Sequence, residues 1–231
     1  MLTQTTNAAY AHAIGRNARI ATPVGTVGTH AQSGALEMMG APMSYSRNAE
    51  IYGENEPAEY LYKIVSGTVR TSKILNDGRR QIGEFYMPGD MFGLEVGSDH
   101  AFSAEAISDV KVIIIKRSAV EALAARDNEV ARQLWALTGR ELQRVQDHIL
   151  LLIKTAQERV AAFLLEMADR IKSKNEVELP MSRQDIADYL GLTIETVSRT
   201  LTSLENAAAI ALPSSRRVVL RNRAALRQLN A

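Results

Sequence analysis

Three polar residues with helical spacing, Glu195, Ser198 and Arg199, carry the clearest recognition chemistry in this sequence. The surrounding pattern predicts two short helices separated at Gly191, with the second helix starting at Thr193. Residues three and four apart share one face of a helix, so these three side chains are expected to project together. Exposed Glu and Arg side chains near the start of a helix suit the major groove of DNA, where they reach base edges. The spacing therefore predicts a DNA-binding helix-turn-helix rather than a solvated helical hairpin.

The neighbouring residues supply what such a unit needs to fold. Ala187 provides a small residue where two helices cross, and Gly191 can adopt the positive φ of the turn. Ser182 followed by Asp185 has the spacing of a capping box at the start of the first helix. The apolar side of the unit is predicted to consist of Ile186, Leu190, Leu192, Val197 and Leu201.

A basic hairpin is predicted after the second helix. Two short apolar segments, 210–212 and 218–220, flank a turn at 213–217 that ends in two arginines. The net charge of the chain is only +1, but arginines are concentrated near its C-terminal end, at Arg216, Arg217, Arg221, Arg223 and Arg227. Arginine side chains beside a recognition helix bind phosphates, which positions a protein on DNA without reading the bases.

Composition limits the other classes of function. The chain has 231 residues, 46% hydrophobic and 23% charged, which is typical of a globular protein with one or two cores. No apolar run approaches the length of a membrane span, and no secretion signal is predicted, so we expect a cytoplasmic protein without membrane contact. Cysteine is absent, which excludes disulfides, iron–sulfur clusters and cysteine-based zinc sites in this chain. The four histidines, His12, His30, His100 and His148, lack metal-ligand spacing and are interpreted as surface residues, so no cofactor or metal is expected.

The order of elements predicts an α+β protein. Residues 1–35 lack sustained periodicity and are predicted to be a flexible N-terminal arm. Residues 36–125 contain short strands separated by glycine and proline turns, with a hairpin at Asn76–Gly78, and predict an antiparallel β-roll. A dimerisation helix is expected over 126–153, followed by a winged helix-turn-helix domain over 154–231.

The helix at 126–153 carries a coiled-coil pattern. Apolar and small residues alternate at spacings of four and three over three heptads, which predicts a seam against a parallel copy of the same helix. Leu134 and Leu137 form a second apolar stripe that can pack against the roll of the same chain, so the seam is free for a homodimer. The predicted seam consists of Trp135, Thr138, Leu142, Val145, Ile149 and Leu152.

A β-roll, a long helix and a winged helix-turn-helix in this order resemble the CRP/FNR family of bacterial transcription regulators, across about residues 40–231. Residues 56–69, EPAEYLYKIVSGTV, look like the second and third roll strands of the family, and residues 88–93, PGDMFG, look like the turn that follows. Glu195, Ser198 and Arg199 fill the Glu-x-x-Ser-Arg pattern of the FNR branch. Within that branch the chain looks most like the FixK group, which activates genes for low-oxygen respiration and nitrogen fixation.

The resemblance implies how the protein would read DNA. The implied operator is a TTGAT–four bases–ATCAA palindrome bound by one homodimer, and the implied partner besides DNA is RNA polymerase. Arg199 would donate to a guanine, Glu195 would accept from a cytosine or adenine amine, and Ser198 and Ile194 would approach thymine. The predicted phosphate contacts are Ser182, Arg183, Thr193, Thr196, Arg216 and Arg217.

The sequence departs from the family where the cyclic AMP receptors bind their effector. Those receptors carry Gly-Glu-Leu and then an Arg-Ser pair that binds the cyclic phosphate, whereas here Gly93 is followed by Leu94 and Phe102 precedes Ser103. A buried phosphate without its arginine loses a bidentate partner, so the chain is expected to act without a small effector. A regulator gated by an unidentified effector in the roll remains the main alternative. A metal-dependent enzyme of the cupin kind and a dimerising adaptor are less consistent with the histidine spacing and with the Glu195–Arg199 face.

Overall fold

The computed structural model describes residues 18–19, 39–173 and 175–229. They fold into two units, one formed by the described residues up to Ile74 together with Gly83–Arg140, the other by Leu75–Ile82 together with the described residues from Glu141 onward. Of the predicted arm, only Ala18–Arg19 lies within the described residues, and it forms a short strand. The predicted α+β class, with antiparallel strands followed by a long helix and a helix-turn-helix, is confirmed.

Two antiparallel sheets form the β-roll. The order of the first sheet is β1 (Ala18–Arg19), β2 (Ala41–Tyr45), β9 (Val110–Lys116), β4 (Tyr60–Ser66) and β7 (Met91–Phe92). The order of the second sheet is β3 (Glu50–Tyr52), β8 (Ser103–Ala106), β5 (Val69–Ile74) and β6 (Arg80–Tyr86). The predicted hairpin turn between β5 and β6 is present, with Gly78 at φ 83°. Since alternate residues of a strand face opposite sides, each sheet turns one row of apolar side chains inward.

The interior of the roll is rich in aromatic rings. Tyr62 and Phe92 stack with their centroids 4.9 Å apart, and Tyr52 lies 5.4 Å from Tyr62. Tyr86 lies 5.3 Å from Phe92 at the edge of the same cluster. Branched side chains of β4 and β9 complete this core, including Ile64, Val110, Val112 and Ile114. Burial of these rings and branched side chains is the main stabilising contribution within the roll.

His100 is part of this core, which corrects its interpretation as a surface residue. Its side chain is buried, and its ring stacks on Tyr52 at 3.5 Å with an interplanar angle of 7°. Its Nδ1 lies 3.1 Å from the Glu95 carboxylate. The sequence contained no local signal for this burial because the partner ring comes from β3, far away along the chain. His148 also departs from that interpretation, because it is half-buried with its ring 4.3 Å from that of Tyr189. His12 and His30 lie outside the described residues.

Two helices follow the roll, α1 (Arg117–Ala124) and α2 (Asn128–Leu152). Leu134 and Leu137 of α2 pack against a cluster that includes Leu61 and Ile115 of the roll, as their separate stripe predicted. With 25 residues, α2 is about 38 Å long. It therefore extends well past the segment that contacts the roll.

The remaining helices and strands belong to the second unit. They are α3 (Ala156–Arg170), β10 (Glu176–Glu178), α4 (Arg183–Leu190), α5 (Ile194–Asn206), β11 (Ile210–Ala211), β12 (Arg217–Leu220) and α6 (Arg223–Leu229). Val160, Phe163, Leu164 and Met167 of α3 are buried. Ile171 is 40% exposed because the helix ends at Arg170 and the chain turns at Lys172, with φ 55°.

Candidate DNA interface

Helices α4 and α5 form the predicted helix-turn-helix. The backbone N–H of Asp185 donates to Ser182 Oγ at 3.1 Å, and the N–H of Ser182 donates to the Asp185 carboxylate at 2.9 Å. This capping box satisfies two of the backbone donors at the start of α4, those of Ser182 and Asp185. At the other end, Gly191 takes the left-handed conformation, with φ 62°, and its N–H donates to the carbonyl of Ala187. The turn thus has the geometry predicted from the spacing of the serine, the alanine and the glycine.

The start of α5 is capped by Thr193. Its Oγ1 accepts from the backbone N–H of Thr196 at 3.2 Å. Beneath the turn, the buried side chains come from one face of each helix, and they are Ile186, Ala187, Leu190, Val197, Leu201 and Leu204. Because this face is buried, rotation of α5 about its axis would expose apolar surface. Packing therefore fixes which residues of α5 face outward.

The four predicted base-reading residues lie on the first two turns of α5. Ile194, Glu195 and Arg199 are exposed, and Ser198 is half-buried. Hydrogen bonding to backbone at the helix start lowers the pKa of Glu195, with further contributions from Thr193 and Arg199. Glu195 is therefore ionised at neutral pH and acts only as an acceptor, which suits the exocyclic amine of cytosine or adenine. Arg199 keeps its guanidinium at the surface, with one weak contact of 3.5 Å to Thr196 Oγ1.

The predicted phosphate contacts divide into two kinds. Ser182, Thr193 and Thr196 lie at helix starts: the hydroxyls of Ser182 and Thr193 are capping acceptors, and the hydroxyl of Thr196 lies 3.1 Å from that of Thr193. Backbone N–H groups at a helix start, together with the helix dipole, also favour an anion there. Arg183, the first residue of α4, is half-buried.

The basic wing is formed by β11 and β12, which pair antiparallel with Ile210 opposite Leu220. On its other side, β12 pairs with β10, with Val177 opposite Val218. The N–H of Leu212 donates to the Glu205 carboxylate at 2.8 Å, which attaches the wing to the end of α5.

The two predicted wing arginines differ in their surroundings. Arg216 lies at the turn, half-buried. Arg217 forms an ion pair with Glu176 of β10, so it would have to exchange a carboxylate for a phosphate on binding DNA.

Sequence reasoning missed Arg80 as a part of this unit. Its guanidinium pairs with Asp185 and with Asp188 of α4, at 2.7 Å in each case. Asp185 is the capping residue of α4, so Arg80 stabilises the same carboxylate that starts the helix. More than 100 residues separate the arginine from either aspartate, and no local pattern indicates this kind of contact.

Two residues at the positions that depart from the cyclic AMP receptors, Leu94 and Ser103, have partners within the protein. Leu94 packs against the cluster beside α2, and Ser103 Oγ accepts from the N–H of Glu54 at 2.9 Å. The described residues contain no group of three or more acidic or histidine side chains that could hold a metal ion. Within the same part of the chain, none of the helices is long and apolar enough to cross a membrane.

Comparisons with known proteins agree with this architecture. A family model described as a Crp-like helix-turn-helix domain matches residues 158–229, and one described as a cyclic nucleotide-binding domain matches residues 42–127. The chain is 56% identical over 199 residues to the nitrogen fixation regulation protein FixK of Azorhizobium caulinodans, a match that covers 84% of this chain and 80% of the relative. It is 42% identical over 207 residues to the protein of the same name from Rhizobium meliloti, which covers 86% and 95%. The solved structure of FixK2 from Bradyrhizobium japonicum matches with a TM-score of 0.80 and 54% identity, over 83% of this chain and 98% of that one.

These matches define a class of protein in which a cyclic-nucleotide-binding type of roll is joined to a Crp-like helix-turn-helix. The chain belongs to the CRP/FNR family of transcription regulators, and it resembles the FixK proteins of that family. It is accordingly a DNA-binding regulator, and its matched relatives are regulators rather than enzymes.

Proposed function

We propose that this protein is a sequence-specific transcription activator that binds a TTGAT–four bases–ATCAA palindrome as a homodimer. The observation that carries the proposal is the outward face of α5, where Glu195, Ser198 and Arg199 project from a helix whose other face is buried. An arginine on this face can donate two bonds to guanine O6 and N7, and an ionised glutamate can accept from cytosine N4. Ile194 and Ser198 can contact a thymine methyl.

The surface of α2 supports the homodimer. Trp135 is 83% exposed, and Leu142, Val145 and Ile149 of the same stripe are also largely exposed. Large apolar side chains repeating at coiled-coil spacing along one helix favour a second copy of that helix as the partner. A twofold axis along α2 would give the dimer two α5 helices, matching the two half-sites of a palindrome.

The interior of the roll supports activity without a small effector. Tyr52, Tyr62, Phe92 and His100 are buried against one another, and Phe102 precedes Ser103 where the cyclic AMP receptors have an arginine. A cyclic phosphate in this interior would lack a charge-assisted partner at that position. The ligand-gated alternative rests on the match of residues 42–127 to cyclic nucleotide-binding domains, and it predicts that an added ligand sharply raises DNA affinity.

The names of the relatives support a physiological role. Several are called nitrogen fixation regulation proteins, so we assign the target genes to nitrogen fixation or low-oxygen respiration. Activation would occur through contact with RNA polymerase at promoters carrying the palindrome.

Fluorescence anisotropy tests this proposal with purified protein and no added ligand. A labelled duplex carrying the palindrome is compared with one in which both half-sites are scrambled, at about 0.15 M salt. Tight binding to the palindrome alone, with two chains per duplex, is the expected result. Equal binding to both duplexes, or binding only after a ligand is added, would contradict the proposal.

A further inference from the structure

One arginine joins the end of α2 to the turn of the helix-turn-helix. Arg159, on the first turn of α3, donates from Nε to the carbonyl of Lys154 at 2.8 Å and from Nη2 to that of Leu152. Its Nη1 donates to the carbonyl of Leu190 at 2.8 Å and lies 3.5 Å from that of Gly191. Leu152 and Leu190 are the last residues of α2 and α4, and Lys154 and Gly191 lie just beyond those two helix ends.

The electrostatics of these four carbonyls explain why an arginine occupies this place. The last carbonyls of a helix have no partner within the helix and form the negative end of its dipole. Here two such ends meet, and a single guanidinium provides planar donors to both. A lysine ammonium would retain the charge but not the fixed fork of donors.

Packing next to Arg159 adds further contacts between the end of α2 and the turn after α4, and we call this contact region the joint. The ring of His148 on α2 lies 4.3 Å from the ring of Tyr189 on α4. Leu151, one turn further along α2, is buried. A β-carbon at Gly191 would lie 3.6 Å from the Leu152 side chain, so the turn itself lies close to the end of α2.

We propose that Arg159 is a positioning residue that holds α5 at a fixed place relative to the C-terminal part of α2, and thereby sets the spacer length that the dimer accepts. The inference rests on the homodimer and palindrome of the proposed function. If the α2 helices lie on the twofold axis, the position of each α5 relative to its α2 determines the separation of the two recognition helices. One base pair of spacer moves a half-site by about 3.4 Å and rotates it by about 35°, so a firm joint discriminates spacers and a loose joint does not.

Binding to palindromes with spacers of three, four and five base pairs tests the proposal. Arg159→Met removes the donors while retaining length and apolar contact, and Arg159→Lys retains the charge. Arg140→Met is the matched control, because it removes an arginine that is exposed on α2. For Arg159→Met we expect the preference for four base pairs to fall by about three- to tenfold, with a smaller fall for Arg159→Lys and none for the control.

A single half-site duplex separates positioning from base reading. The Arg159→Met variant is expected to bind this duplex with an affinity within about twofold of that of the unaltered protein, because the outward residues of α5 are unchanged. An unchanged spacer preference in both Arg159 variants would overturn the inference. An equal loss of affinity on all duplexes, the half-site included, would also overturn it, since that result indicates a merely structural role.

A distance measurement tests the joint without DNA. Because the chain has no cysteine, Gln143→Cys on α2 and Ser203→Cys on α5 give two unique spin-label sites, both exposed. With labelled protein diluted into unlabelled protein, we expect one narrow distance distribution that broadens with Arg159→Met and stays narrow with Arg140→Met. An unbroadened distribution would refute the joint itself. If the unaltered protein showed no spacer preference, the proposed function would fail, and this distance would still decide whether Arg159 fixes α5 to α2.

Discussion

At the residue scale, the outward side chains of α5 are each expected to read one feature of a half-site. Arg199→Ala should lower operator affinity by about 1–3 kcal/mol and relax the preference at one guanine, because a bidentate donor is lost. Anisotropy titrations with duplexes altered at each guanine in turn measure both effects. Arg221→Ala, which removes another exposed arginine of the same unit, serves as the control and should leave base preference unchanged. Retained discrimination at every guanine by Arg199→Ala would contradict the assignment.

His148 gives the second unit a pH dependence. Burial, together with the nearby Arg159 guanidinium, lowers the pKa of His148 below its ordinary value of 6.5. The unfolded chain therefore takes up a proton near pH 6.5, while the folded unit takes it up only at lower pH. Stability is fully present above pH 6.5 and falls as the pH drops through 6.5 toward the lower folded pKa.

The change His148→Phe tests this dependence, because phenylalanine can pack on Tyr189 and does not titrate. Urea unfolding between about pH 7.5 and about pH 5.5 should show a smaller loss of stability for the variant than for the unaltered protein. Parallel losses in the two proteins would assign the acid sensitivity to other groups.

The outward residues of α5 could be predicted because their arrangement depends on local spacing. Glu195, Ser198 and Arg199 need only the start of one helix and a periodic apolar face to define their direction. His100 and Arg159 could not be placed in this way. Their partners, Tyr52 for the first and the Leu190 carbonyl for the second, come from segments more than 30 residues away.

At the element scale, the turn of the helix-turn-helix depends on a left-handed residue. Gly191→Ala should destabilise the protein by about 1–2 kcal/mol, because a β-carbon is strained at a φ of 62°. Gly139→Ala is the matched control. Gly139 lies inside α2 with open space around its α-carbon, so the change should stabilise the protein by about 0.5–1 kcal/mol. Thermal unfolding of the two variants should therefore shift in opposite directions.

The contact of Arg80 with α4 is expected to stabilise the start of that helix. Arg80→Met leaves two largely buried carboxylates, Asp185 and Asp188, without their guanidinium, and should destabilise the protein by about 1–3 kcal/mol. Adding Asp188→Asn to the variant should restore part of the loss. The neighbouring Arg79→Met is the control, because Arg79 is exposed and pairs with Asp77 at the surface. Equal unfolding midpoints for the two single variants would contradict the role of Arg80.

Most elements could be predicted from the sequence, but their pairing could not. Caps and turn glycines such as Ser182, Gly78 and Gly191 mark where helices and strands begin and end. Sheet order depends on contacts between distant strands, such as β2 with β9, and no sequence period specifies which strands meet. The ion pairs of Arg80 could not be predicted from local sequence patterns for the same reason.

At the scale of the whole molecule, adjacent residues of α2 provide a direct test of the dimer. Ile149 belongs to the predicted seam and is 57% exposed, whereas Leu150 lies outside the seam and is 58% exposed. Ile149→Glu should shift the protein to the monomer, because a charge in a coiled-coil seam loses its hydration. Leu150→Glu should leave the dimer intact. Sedimentation equilibrium measures both, and a dimer that survives Ile149→Glu would exclude this seam.

The proposed dimer along the exposed stripe of α2 would also link the protein's abundance to its effect on genes. Below the dissociation constant of a dimer, the dimer concentration rises as the square of the chain concentration, so a threefold increase in synthesis gives about nine times as much operator-competent protein. A regulator with this stripe and without an effector would respond steeply to its own rate of synthesis. Gene dosage and degradation would then control DNA binding by this protein, as a bound signal molecule does in a ligand-gated regulator.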